Sequence, residues 1–176
     1  MSFRKILAAV DHSSLSQAVV DQAIDLAKSS QAQLLLFHCL TADIATSAPP
    51  FAGELGLSHQ MISQSYQFQS LRFEDQFRQM QQLLQHYRDL AQGQGITTTI
   101  DWRTVEPGQG LCQAAQRWQA DLIVMGRRGR KGITEVLLGS VSNYVLHHAG
   151  CAVLVIQASL DAPINQLTAQ SNQVAP

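Results

Sequence analysis

The richest concentration of chemically capable residues lies between Met125 and Ser142, which reads MGRRGRKGITEVLLGSVS. Glycine has no Cβ, so its backbone can take positive φ and approach a ligand closely. Successive exposed N–H groups in such a turn form a concavity that attracts anions. Gly139-Ser140 then opens a helical pattern, with Val141, Tyr144, Val145 and His148 on one side. The unpaired N–H groups and positive dipole end of that helix make a second anion site. Ser140 and Ser142 add hydroxyls, and Arg127, Arg128, Arg130 and Lys131 add charge suited to a polyphosphate. Two readings stand on these residues alone: a phosphate site, or a glycine-rich loop whose basic residues are merely solvated. Neither G-x-x-x-x-G-K-[ST] nor a G-x-G-x-x-G after the first strand is present.

Other chemistries find less support. Cys39, Cys112 and Cys151 are far apart, form no C-x-x-C pair and sit in apolar runs, as expected of reduced, buried thiols in a cytosolic protein. The six histidines show no H-E-x-x-H spacing, and adjacent His147 and His148 would point about 100° apart on a helix. No metal site is expected. The N-terminal apolar run is too short for a signal peptide, and no stretch approaches the ~18 apolar residues of a membrane span, so a cytoplasmic location is expected. Net charge is −1, with 45% hydrophobic and 14% charged residues, which excludes a chain-wide basic field for nucleic acid. The Arg/Lys cluster has no aromatic stacking platform beside it. Neither nucleic acid nor membrane is an expected partner.

The elements that must position the loop are legible as an alternation. Ile6 to Val10 is a continuous apolar run ending at Asp11, the pattern of a strand buried on both faces. Ser14 and Gln17 fit a capping box, and Leu15, Val19, Ala23 and Leu26 continue a helix to about Ser29. Gln33 to Leu40 is a second buried strand, completing a βαβ unit. Residues 41–70 carry Pro49-Pro50, Gly53 and Gly56 and are expected to form a long mobile connection. From Phe73 the residues Phe73, Phe77, Met80, Leu84, Tyr87 and Ala91 define a helical stripe that Gly93 stops. A strand over 96–105, a helix bearing Leu111, Ala115 and Trp118, a strand over 122–125, the helix after Ser140 and a strand over 152–156 follow. The 158–176 tail lacks periodicity and is expected to be disordered. The alternation predicts one α/β domain over 1–157 with a parallel sheet, right-handed crossovers and helices on both faces. Ligands in such sheets sit at the carboxyl ends of the strands, which singles out Asp11, Cys39 and Leu40, Val105, and Gly126 onward.

The spacing Gly126-x2-Gly129-x9-Gly139-Ser140 resembles the G-x2-G-x9-G-[ST] motif of the ATP-binding branch of the universal stress protein family. Ile6 to Asp11, Leu36 to Cys39, Asp121 to Gly126 and Ala152 to Ile156 resemble its first, second, fourth and last strands, so the likeness covers roughly 2–157. The expected architecture is a Rossmann-like open parallel five-stranded sheet in the order 3-2-1-4-5. The resemblance implies an adenine nucleotide, ATP with Mg²⁺ or else AMP or another adenine nucleotide such as a cyclic one, held in stated places. Asp11 would lie at the adenine and ribose end, the Cys39 backbone at the adenine edge, and Val105 near the base. Met125 would stand where the fourth strand enters the loop, and Gly126, Arg127, Gly129, Gly139, Ser140, Val141 and Ser142 would hold ribose and phosphates. It further implies a homodimer through 152–156. On residue chemistry alone Asp11 also reads as a cap for the first helix.

In-line hydrolysis needs an oriented nucleophile as well as charge stabilisation, and the sequence supplies only the latter, so no catalytic residue is assigned. The leading expectation is a nucleotide-dependent regulatory switch in stress response, read by an unidentified protein partner. The alternative is a slow Mg²⁺-dependent ATPase or nucleotidyl-transfer enzyme on the same fold.

Overall fold

The computed structural model describes residues 2–41, 59–127 and 139–157, with side chains of the long second helix described from Leu71 onward. Five strands and four helices alternate: β1 Lys5–Ala9, α1 Ser16–Ser30, β2 Gln33–Leu40, α2 His59–Gly93, β3 Thr98–Thr104, α3 Pro107–Trp118, β4 Leu122–Gly126, α4 Ser140–His148 and β5 Ala152–Ile156. The strands form one parallel sheet in the order β3-β2-β1-β4-β5. Leu7 sits at the centre of its register, opposite Leu35 on β2 and Ile123 on β4.

Burial on both faces explains the apolar runs. Ile6 and Ala8 point to one face, where they meet Val19, Ala23 and Ile24 of α1 and Met80 and Leu84 of α2. Leu7 points to the other, against Leu111 and Ala115 of α3 and Val145 of α4. Right-handed crossovers thus place α1 and α2 on one face and α3 and α4 on the opposite one.

Some local expectations change. Helix α1 begins at Ser16 rather than behind a Ser14 cap; its N-cap position is Leu15, with no side-chain cap bond. Helix α2 begins at His59, so the segment expected as a connection over 41–70 is helical in its last part. At about 1.5 Å per residue its 35 residues are about twice as long as the strands they cover. Met80, Leu84, Tyr87 and Ala91 are buried as the stripe predicts, whereas Phe73 is 45% exposed because it lies on the half that outruns the sheet. Phe77 marks the changeover, its ring edge-on to Trp102 of β3 at 5.0 Å.

Two contacts fix the sheet's geometry, one at each end of its strands. At the amino end, Asp121 precedes β4 and ties β1 to it: Oδ2 accepts from the amides of Arg4 at 2.8 Å and Lys5 at 2.9 Å, and its own N–H donates to Lys5 O at 2.8 Å. At the carboxyl end, Gly110 of α3 lies against β2, where an added Cβ would stand 2.7 Å from Cys39 Sγ. No described helix is long and apolar enough to cross a membrane.

The Arg4 and then Lys5 amide bonds lower the Asp121 pKa below its ordinary value. A depressed carboxylate contributes stability above its unfolded pKa of about 3.9, and this is lost as pH falls through the folded pKa. Asp121→Asn is therefore expected to lower the urea midpoint at pH 7 and to converge on the native protein once the pH has fallen through the folded pKa; a deficit unchanged by acid would show that charge is not involved. For Gly110→Ala, helix propensity favours alanine by up to about 1 kcal/mol, but overpacking costs about 1–3 kcal/mol, so net destabilisation is expected. In a Cys39→Ala background the same change should become neutral or stabilising, as measured by chemical denaturation.

Candidate functional site

At the carboxyl edge of the sheet, the ends of β1, β2 and β4 surround a cleft of about 980 Å³. Asp11, Cys39, Met125, Gly126 and Arg127 line it. Gly139, Ser140, Val141 and Ser142 close it from the start of α4. Nine of the eleven expected site residues therefore meet in one cavity.

The other two do not join them. Gly129 lies outside the described residues, as do Arg128, Arg130 and Lys131. Val105 falls in the bend after β3 and does not line the cleft among the described residues; Pro107 and Leu111 of α3 form that wall. The reason is where β3 stops. The strand ends at Thr104, Glu106 caps α3 by accepting from the Gln109 amide at 3.0 Å, and Pro107 occupies the first turn, where a missing N–H costs nothing. Val105 is turned down against the helix, its Cγ1 3.6 Å from where a Gly110 Cβ would be.

One wall of the cleft is built from the start of α4. Gly139 occupies the N-cap with φ −55° and ψ 155°, no side chain among the described residues caps the helix and its first turn holds no acidic residue. The opening turn of a helix leaves amides without intrahelical partners and carries the positive end of the dipole. Ser142 has a different role from the one its sequence position suggests: it is buried, and its hydroxyl donates to Gly139 O at 3.0 Å. Ser140 is exposed at the same end. Arg127 directs its amide to Ile156 O at 2.8 Å, leaving its side chain as its contribution to the cleft. Gly126 is required for packing: a Cβ there would come within 3.2 Å of Leu15 Cβ.

Asp11 organises the turn that follows β1. Its Oδ1 accepts from the Ser13 amide at 2.9 Å. The buried Ser16 hydroxyl lies 2.6 Å from Asp11 O and 2.9 Å from Oδ1, and accepts from the Asp11 amide at 2.9 Å. Asp11 thus shapes the turn into α1 without occupying its N-cap.

Sequence reasoning missed His38, which was read as part of an apolar run. It is only 6% exposed, and its Nδ1 lies 2.7 Å from Val10 O. A carbonyl can only accept, so Nδ1 carries a proton. Burial lowers the His38 pKa, against the raising effect of the Val10 bond; neighbouring His12 lowers it further and Asp11 raises it. The His12 and His38 rings meet edge-on at 5.7 Å. A polar ring in a buried strand demands a partner, and that demand was the available signal. Gln76 and Gln79 of α2 also reach the cleft, which the exposed face of a helical stripe does not reveal. Burial, then the Glu106 charge, pushes the Cys39 thiol up to about 12, so it remains protonated and is a packing group rather than a nucleophile.

The universal stress protein family model matches residues 2–157. Universal stress protein Sll1388 of Synechocystis sp. is 38% identical over 159 residues, covering 89% of this chain and 99% of its own. Among solved structures, hypothetical protein MJ0577 superposes with a TM-score of 0.67 at 17% identity, covering 90% of this chain and 98% of its own. A universal stress protein in complex with cAMP gives 0.56 at 24% identity, covering 90% and 100%. A universal stress family protein of Arabidopsis thaliana with AMP bound gives 0.56 at 19%, covering 93% and 97%. Matched over residues 2–157 and sharing the five-stranded parallel architecture, this chain belongs to the universal stress protein family.

Proposed function

We propose that the cleft binds ATP and that the protein acts as a nucleotide-dependent regulatory switch in stress response. The observation that carries this reading is the opening of α4, uncapped by any side chain among the described residues, onto a cavity that also contains Asp11 and the end of β2. The lining divides between polar groups, Asp11 and Ser140 among them, and apolar Met125, Leu111 and Val141. That division suits a nucleotide, whose base and ribose lie on an apolar floor while its phosphates need amide donors and positive charge. The cAMP and AMP complexes of the two family members support an adenine nucleotide as the ligand class.

In this reading Gly139, Ser140 and the first amides of α4 hold the phosphates, with Arg127 and the glycine-spaced segment from Gly126 to Gly139 adding donors and charge. The main chain at Cys39 meets the adenine edge, and Asp11 meets the ribose. Mg²⁺ would neutralise part of the phosphate charge when bound. Strand β5 is an edge strand, bonded to β4, with Val153 to Ile156 only half-buried. An apolar edge of this kind invites pairing, and we assign it to a second copy of the chain. Occupancy of the cleft would then reach the dimer through Arg127, whose amide is bonded to Ile156.

The test is calorimetric titration of the protein with MgATP, repeated on Gly139→Val. Wild type should bind, and the variant should lose at least about tenfold in affinity, or about 1.4 kcal/mol, with its melting temperature unchanged within a few degrees. Absence of wild-type binding at millimolar nucleotide would end the proposal. Parallel loss of fold and affinity in the variant would make Gly139 structural instead.

A further inference from the structure

We infer that His38 is a positioning residue for the nucleotide cleft, acting through the Val10–Asp11 peptide to fix Asp11; the inference rests on the reading of the cleft as a nucleotide site. Strand β1 ends at Ala9, and beyond it the chain must turn into α1 without the sheet to hold it. Val10 is still tied to β2, its N–H donating to Phe37 O at 2.9 Å. The next ladder position is supplied by a side chain: His38 Nδ1–H donates to Val10 O at 2.7 Å. On the other side of the same peptide, the Asp11 N–H donates to Ser16 Oγ at 2.9 Å.

A peptide unit is planar. When its oxygen is held from one side and its N–H from the other, rotation of that plane is blocked, and with it the direction in which the Asp11 side chain leaves the backbone. Both clamping groups are buried, His38 on β2 and Ser16 at the start of α1, so neither is readily exchanged for water. Burial lowers the ring's pKa and so favours the neutral form, in which Nδ1–H is the one donor and is committed to Val10. His38 and Asp11 both line the cleft. The ring therefore joins the end of β2, where the base would lie, to the carboxylate assigned to the ribose.

Two sets of measurements test this. In the ligand-free protein, nitrogen-15 NMR should show the neutral His38 ring as the Nδ1–H tautomer, and the Asp11 amide should be protected from exchange. An Nε2–H tautomer would overturn the inference, because Val10 O would then have no donor from the ring. Protection should drop in His38→Leu and return in His38→Asn, whose amide nitrogen can stand near the place of Nδ1. In calorimetric titration with MgATP, His38→Leu should bind roughly tenfold more weakly and His38→Asn should recover most of that loss. In an Asp11→Ala background, His38→Leu should change affinity by less than about twofold, since coupled residues are not additive. Full additivity of the two changes, or equal affinity of His38→Leu and wild type, would sink the positioning role. If wild type fails to bind MgATP, the nucleotide assignment falls, while the tautomer and exchange results still decide whether the clamp exists.

Discussion

Strand β1 is bonded on both edges, to β2 on one side and β4 on the other, and the chain's route around it governs everything else. From β1 the chain moves outward through α1, β2, α2 and β3, then crosses back through α3 to β4 on the far side. Right-handed crossovers send the first two helices to one face and the last two to the other. Between β1 and β4 the helices part, and a crevice opens at the carboxyl ends of the strands. Residues distant in sequence are brought there because three strands end there.

How much of this was legible depended on how local the signal was. Buried parallel strands announce themselves as apolar runs because both faces need covering, and β1, β2 and β4 were found with boundaries nearly correct. The α2 stripe was equally clear through Met80, Leu84, Tyr87 and Ala91. It misled at Phe73, since periodicity reports a face and cannot say where the sheet beneath it ends. The start of α1 was misplaced because a capping box is a local pattern, whereas the observed turn is held by Asp11 and Ser16, five positions apart. The family resemblance located most of the cleft, but Val105 was displaced by the early end of β3. His38 and the α2 glutamines could not be seen, because their roles come from contacts between elements and not from spacing along one.

Four of the cleft's polar groups share a feature that bears on what they can do. Ser142 spends its proton on Gly139 O, Ser16 is bonded to Asp11, His38 is committed to Val10, and the Cys39 thiol stays protonated. Each is engaged in holding the shape of the cavity. A group already satisfied within the protein is poorly placed to move a proton in a reaction, where a base must come within hydrogen-bond reach of the proton it takes. The same satisfaction makes a good binding surface, because rigid groups lose little freedom when a ligand arrives.

That rigidity also explains why a buried histidine occurs in a strand that could have been wholly apolar. A leucine at position 38 would fill similar space, but it would leave Val10 O without its donor, and a buried unpaired carbonyl costs about 1–3 kcal/mol. The ladder between β1 and β2 has to stop somewhere, since the chain must diverge to enter α1. A side-chain donor on β2 extends the ladder by one bond without extending the strand, so the backbone can turn at Asp11 while the preceding peptide remains fixed. The end of a strand is ordinarily where backbone order fades; here the sequence places a ring at that point, and the cleft begins one residue later.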